Sequence, residues 1–140
     1  MITPLERRHA AIEATMGKYR DRSFAWGKVD CARVGAFHLK QLGYKISISK
    51  GGNYTSALGA KRAIKRFGVE TLPELVDSLG LTEIPYSRML LGDLAQIEGD
   101  SPIGTICIYA GNGNLFGFHE DFPGLVTLQP IDVLRAWSVL

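Results

Sequence analysis

Near residue 80 the chain changes its punctuation from that of helices to that of strands. Thr3 and Glu6 form a T-x-x-E box with Pro4 at the first helical position, where a missing N–H costs nothing. Leu5, Ile12, Met16 and Tyr19 follow at helical spacing, interrupted by His9, and predict a helix to about Tyr19 along that stripe. Asp30 is a good cap for a second helix, Ala32 to Leu42, with Gly43 as its stop. Thr55 or Ser56 caps a third ending near Gly68, and Thr71-Leu72-Pro73-Glu74 opens a short fourth that stops at Gly80. Beyond Gly92-Asp93 the reading is β: Leu94 to Ile97, Gly104 to Ala110, Asn114 to Phe116, Leu125 to Leu128 and Arg135 to Leu140. Asn112-Gly113 between apolar runs is a hairpin signal, and Pro123-Gly124 marks another turn. Helices first and antiparallel strands afterwards is the α+β pattern, with N-terminal helices packed on a small C-terminal sheet.

Composition bounds the rest. At 140 residues, without repeats or a linker, residues 1–140 form one domain, and 46% hydrophobic against 21% charged residues is an ordinary globular balance. No run approaches the ~18 apolar residues of a membrane span. The segment Met1 to Arg8 has no apolar signal region, so synthesis in a cytoplasm is expected. A net charge of +2 is too small to argue for nucleic-acid binding. Cys31, Cys107, His9, His38 and His119 are scattered, so neither a metal nor a disulfide is expected. Gly52-Asn53-Tyr54 lacks the spacing of a phosphate loop, and no cofactor is expected.

One residue carries chemistry. Cys31 falls at the first turn of the second helix, where unsatisfied N–H groups and the helix dipole favour a thiolate. The thiolate is the nucleophile, and the same N–H groups can serve as an oxyanion hole.

The stretch Phe24-Ala25-Trp26-Gly27, then Asp30-Cys31, resembles the nucleophile region of the NlpC-type peptidoglycan peptidases, which are circularly permuted papain folds. It is more closely similar to a phage and prophage family with the pattern F-x-W-G-x-x-D-C. Also matching are Tyr54 to Ala60, Gly92-Asp93, Gly104 to Cys107 and Arg135 to Trp137, in order along most of the chain. The resemblance implies a papain-like fold, with Cys31 at the nucleophile position and Asp30 before it as helix cap. It also implies a general base at the start of the strand Thr105 to Gly111, which puts Thr105 where a histidine belongs. A threonine hydroxyl has no useful basicity at neutral pH. The third, orienting residue falls near Gly117, which has no suitable side chain.

No other histidine is well placed. His38 lies two turns from Cys31 on the same helix, and His9 has no positional argument. His119, two residues past Gly117, is the one candidate for a displaced base. Two functions follow from the resemblance. One is a phage structural or assembly protein at the tail tip, a peptidase fold without its chemistry, contacting other tail proteins in the virion. The other is an active cysteine hydrolase that cuts peptidoglycan stem peptides, with Cys31 as nucleophile and His119 as base. Trp26 and Trp137 read as anchors of the core or of an interface, Cys107 as a packed strand residue. Lys61, Arg62, Lys65 and Arg66 form one basic helix face, read as solvated, with docking of an acidic protein partner or a nucleic acid as the competing use.

Overall fold

A computed structural model describes residues 2–99, 101–118, 125–129 and 132–140. Four α-helices among the described residues, α1 (Pro4–Tyr19), α2 (Cys31–Gln41), α3 (Ala57–Lys65) and α4 (Leu72–Ser78), precede all six strands. The strands are β1 (Thr82–Ile84), β2 (Leu94–Ile97), β3 (Thr105–Gly111), β4 (Asn114–Phe118), β5 (Leu125–Leu128) and β6 (Arg135–Ser138). They form one antiparallel sheet in the order β1-β6-β2-β3-β4-β5, so the fold is α+β. No helix among the described residues is long and apolar enough to cross a membrane.

The helix starts follow their caps. Thr3, Asp30, Ser56 and Thr71 each accept a hydrogen bond from the amide three residues on, satisfying a donor that the helix itself leaves free. The box at Thr3 is complete, whereas Glu74 turns its carboxylate to the Glu70 amide instead of the Thr71 amide. The β3–β4 hairpin turns through Asn112 (φ 56°) and Gly113 (φ 77°), two positive values whose twist matches that of the flanking strands. The expected turn at Pro123-Gly124 lies outside the described residues. Strand β1 has no sequence signal: it is three residues long, and Thr82 and Glu83 are both exposed.

One sheet face, carrying Leu94, Ile106, Ile108 and Trp137, packs on Ala11, Ile12, Val34 and Leu39 of the helices. The other face gathers Ala95, Cys107 and Leu115 under Met89, Tyr109 and Val133. The inward stripe of α1 differs from expectation. Leu5 is 66% exposed, and the buried residues are Arg8, Ala11, Ile12, Thr15 and Tyr19. Arg8 takes an inward place because Asp93, also buried, waits there: Nη1 donates to Asp93 Oδ1 at 2.6 Å and to the Leu91 carbonyl. Asp93 further accepts from the amides of Leu90 and Val139, so a buried charge is fully partnered and ties α1 to the start of β2 and the end of β6, which lie side by side.

Candidate functional site

The turn before α2 is built by mutual exclusion. Ala25 and Val29 exchange two backbone hydrogen bonds around Trp26-Gly27-Lys28. Gly27 has φ +79°, and a Cβ there would lie 1.9 Å from the Tyr54 carbonyl oxygen, so only glycine fits. Asp30, 1% exposed, accepts from the Gly27 amide (2.9 Å), the Arg33 amide (2.8 Å) and the Tyr54 hydroxyl (2.6 Å). A Cβ on Gly59 would meet that of Tyr54 at 2.9 Å. Gly27, Asp30, Tyr54 and Gly59 therefore interlock the turn, the start of α2 and the start of α3. Their joint occurrence has a packing cause, whatever else they do.

Cys31 begins α2 at the inner sheet face and lines a crevice with Ile106, Ile108, Phe116, Phe118 and Leu125. The crevice has room for about 10 Å³, the lower limit for a single water molecule. Phe24 stacks edge-on against both Trp26 and Phe118, at 5.0 and 5.2 Å between ring centroids, beside this crevice. The thiol is pushed up to about 11, first by burial and then by the Asp30 carboxylate, while the amides of Ile106, Cys31 and Ala32 pull it down. This reverses the expectation of an activated thiolate. A helix N-terminus stabilises an anion by ~0.3–1 kcal/mol, under one pKa unit, whereas burial in apolar surroundings shifts a group by up to several.

The other sequence candidates do not assemble around the sulfur. His38 is wholly buried; its Nε2 lies 2.8 Å from the Gly92 carbonyl and its Nδ1 3.2 Å from the Thr15 hydroxyl. The carbonyl can only accept, so Nε2 carries a proton, and burial lowers the pKa of the ring. His9 is on the exposed side of α1, 3.7 Å from Glu13. His119 lies outside the described residues. Thr105, at the position of the expected base, has the strand parity of Cys107, not of Ile106 and Ile108, and so belongs to the sheet face away from Cys31. A Cβ on Gly99 would meet its hydroxyl at 2.4 Å. Gly117 lines the crevice and contributes no side chain to it. Among the described lining residues, then, nothing can accept the thiol proton.

Trp137 is fully buried and donates its indole N–H to Asp77, and Arg135 holds the same carboxylate with two hydrogen bonds. Arg135 also reaches Glu83 and stacks on Trp137, 4.7 Å from the ring centroid. The Arg-Ala-Trp element thus clamps α4 to β1 and β6. Cys107 is buried, and burial raises its pKa. The Arg8–Asp93 pair was missed in the sequence, since an arginine on a helix normally signals the solvent face. Among the described residues no three His, Cys, Asp or Glu side chains come together as a metal site.

A family model described as a domain of unknown function (DUF6950) matches residues 3–139. No curated protein matches the chain. With nearly all of its length covered, the chain belongs to the DUF6950 family.

Proposed function

We propose that this DUF6950 member is a phage-encoded structural or assembly protein of the tail tip, a papain-like peptidase fold retained without its chemistry. The observation that supports this reading is the setting of Cys31. Cys31 begins α2, as the resemblance to papain-like enzymes expects of a nucleophile, yet its apolar surroundings push the thiol up to about 11, and the crevice it lines has room for only about 10 Å³. A fold can outlast its reaction, because function lives in the site and not in the architecture. Other tail proteins are its partners in this reading, and the virion is its location.

One observation favours the second reading, an active peptidoglycan endopeptidase with Cys31 as nucleophile and His119 as base. Backbone amides of Ile106, Cys31 and Ala32 all favour negative charge at the sulfur, as donors of an oxyanion hole would. The two readings separate in one comparison. Virions carrying wild-type protein or Cys31→Ala are purified, tested for infectivity and analysed by mass spectrometry, and both proteins are incubated with muropeptides. The scaffold reading expects stoichiometric recovery from particles, equal infectivity and no cleavage. Cleavage by the wild type that Cys31→Ala abolishes would overturn it, as would absence of the protein from particles.

A further inference from the structure

The near-neutral total conceals a segregation of charge. Residues 31–69 carry eight Lys and Arg and no Asp or Glu, whereas residues 70–140 carry ten Asp and Glu and only two Arg. The basic segment wraps a cavity of about 60 Å³ on the helix side of the molecule. Helices α2 and α3 line it with short side chains, Ala32 and Ala36 from one, Ala60 and Ala63 from the other. Its floor is buried and apolar, closed by Ile64, Leu72 and Ile103. A water molecule needs ~10–15 Å³ by this measure, so the cavity has room for roughly four to six heavy atoms. It shares no lining residue with the crevice of Cys31.

The rim is cationic. Arg33 is half-buried and lines the cavity itself; its guanidinium lies 5.6 Å from the Tyr54 ring centroid and donates to the Gly52 carbonyl at 3.4 Å. Arg66 donates to the adjacent Gly51 carbonyl, and the Lys50 ammonium lies 5.8 Å from the ring centroid of Phe67. Gly51, Tyr54 and Phe67 are all wall residues, so three cations touch the wall or belong to it. Gly52 has φ +71°, and a Cβ there would collide with the Arg66 guanidinium; glycine lets the two arginines close on consecutive carbonyls. Among the described hydrogen bonds, each guanidinium spends one of its five donors on this loop. Among the described ion pairs none includes Arg33, Lys50 or Arg66. Asp30, just before the segment, is held by two amides and the Tyr54 hydroxyl, and Glu74 of α4 turns to the Glu70 amide.

We propose that this cavity binds a small anionic amphiphile, a carboxylate on a short aliphatic tail. The tail enters between α2 and α3 and covers Ala63, Ile64 and Ile103, where an aliphatic group fits better than water, which needs two to four polar partners. The carboxylate stays at the mouth and accepts from Arg33, whose planar fork matches two carboxylate oxygens, with Lys50 and Arg66 adding charge. The two halves of the site select each other's opposite: a neutral alcohol forgoes the cations, an alkylammonium is repelled by them, and acetate leaves the apolar floor uncovered. The site is independent of any chemistry at Cys31.

The test titrates the full chain, labelled with ¹⁵N, with sodium salts of the straight-chain carboxylates from acetate to octanoate, and with 1-hexanol and hexylammonium. Amide shifts of Gly51, Ala60, Ala63 and Ile103 report the cavity. Hexanoate is expected to saturate them at about 1 mM, the scale that its ~8 heavy atoms support. Affinity should rise about threefold to fourfold per methylene and level off once the tail passes roughly six heavy atoms. Hexanol should bind at least about tenfold more weakly, and hexylammonium should not saturate. Two variants, checked for folding by circular dichroism, separate the halves of the site. Arg33→Gln should erase the preference for hexanoate over hexanol, and Ala36→Leu, which fills the half-buried wall, should abolish binding of both. Absence of saturation by about 20 mM hexanoate overturns the proposal. So do hexanol binding as tightly as hexanoate, affinity that climbs with tail length without levelling, and shifts confined to the exposed amides around Lys61 and Lys65.

Discussion

The ionisation of Cys31 can be measured directly, and its magnitude follows from its surroundings. A thiol with its midpoint at about 11 is ionised to roughly one part in ten thousand at pH 7, against one part in a hundred at the ordinary value of 9.0. That hundredfold deficit in thiolate does not pass wholly into the rate. A more basic thiolate is the better nucleophile, and with a Brønsted slope of ~0.4–0.5 two units of basicity return roughly tenfold. At neutral pH the expected reaction with a small aromatic disulfide is therefore about tenfold slower than for an ordinary cysteine, before any hindrance by the crevice. Hindrance scales the whole curve and leaves its midpoint unchanged, so the midpoint is the decisive quantity. The assay is stopped-flow absorbance on Cys107→Ala protein, jumped briefly to each pH between 6 and 11.5. The expected rate climbs tenfold per unit through pH 10 without levelling. A plateau at or below pH 8 would refute the reasoning, because it would require the helix N-terminus and neighbouring amides to outweigh burial.

Three further outcomes test the packing around this site. Replacing Asp30 with Ala removes a cap worth ~1 kcal/mol and strands the Gly27 amide and the Tyr54 hydroxyl, for a total of roughly 3–5 kcal/mol. Tyr54→Phe should cost only about 1 kcal/mol, and urea unfolding that ranks the two equally would remove Asp30 from its central role. Arg8→Met leaves Asp93 buried without its counter-charge and is expected to cost roughly 3–5 kcal/mol, read as a fall in Tm of about 10–15 °C. His38 has a folded-state pKa below its ordinary 6.5, so the unfolded chain gains a proton first as pH falls. Its contribution is complete above pH 6.5 and is lost as the pH drops from there through the folded value, at no more than about 1.4 kcal/mol per unit. Urea midpoints at pH 7.5 and 5.5 should diverge less in His38→Gln than in wild type; an unchanged difference would mean that the ring does not carry the effect.

Local signals carried most of the architecture. Capping residues and Gly43 placed α1 and α2 nearly to the residue, and Asn112-Gly113 located the hairpin, because each acts through a few neighbouring backbone groups. What escaped depended on contacts far along the chain. Arg8 faces inward only because Asp93, eighty-five residues later, meets it there. Strand β1 exists only because β6 offers it an edge. The candidate site shows the same division. That Cys31 begins a helix could be read from Asp30, and helix N-termini favour thiolates. The opposing effect comes from Ile106, Phe116, Phe118 and Leu125, which reach the sulfur only after the sheet has formed. Gly27, Tyr54 and Gly59 stood out as a pattern, but the carbonyl and Cβ contacts that demand them belong to the folded chain.

The place of β6 between β1 and β2 has a consequence for biosynthesis. A nascent chain that has not yet reached Arg135 has made the strands on either side, but not the one that joins them. Until Ser138 clears the ribosome exit tunnel, β1 has no partner and the outer edge of β2 stays unpaired. Asp93, already buried in the mature protein, must also wait for the amide of Val139. Completion of the sheet therefore waits for β6, and a product stalled or terminated before it would display open strand edges to the quality-control proteases of the cell.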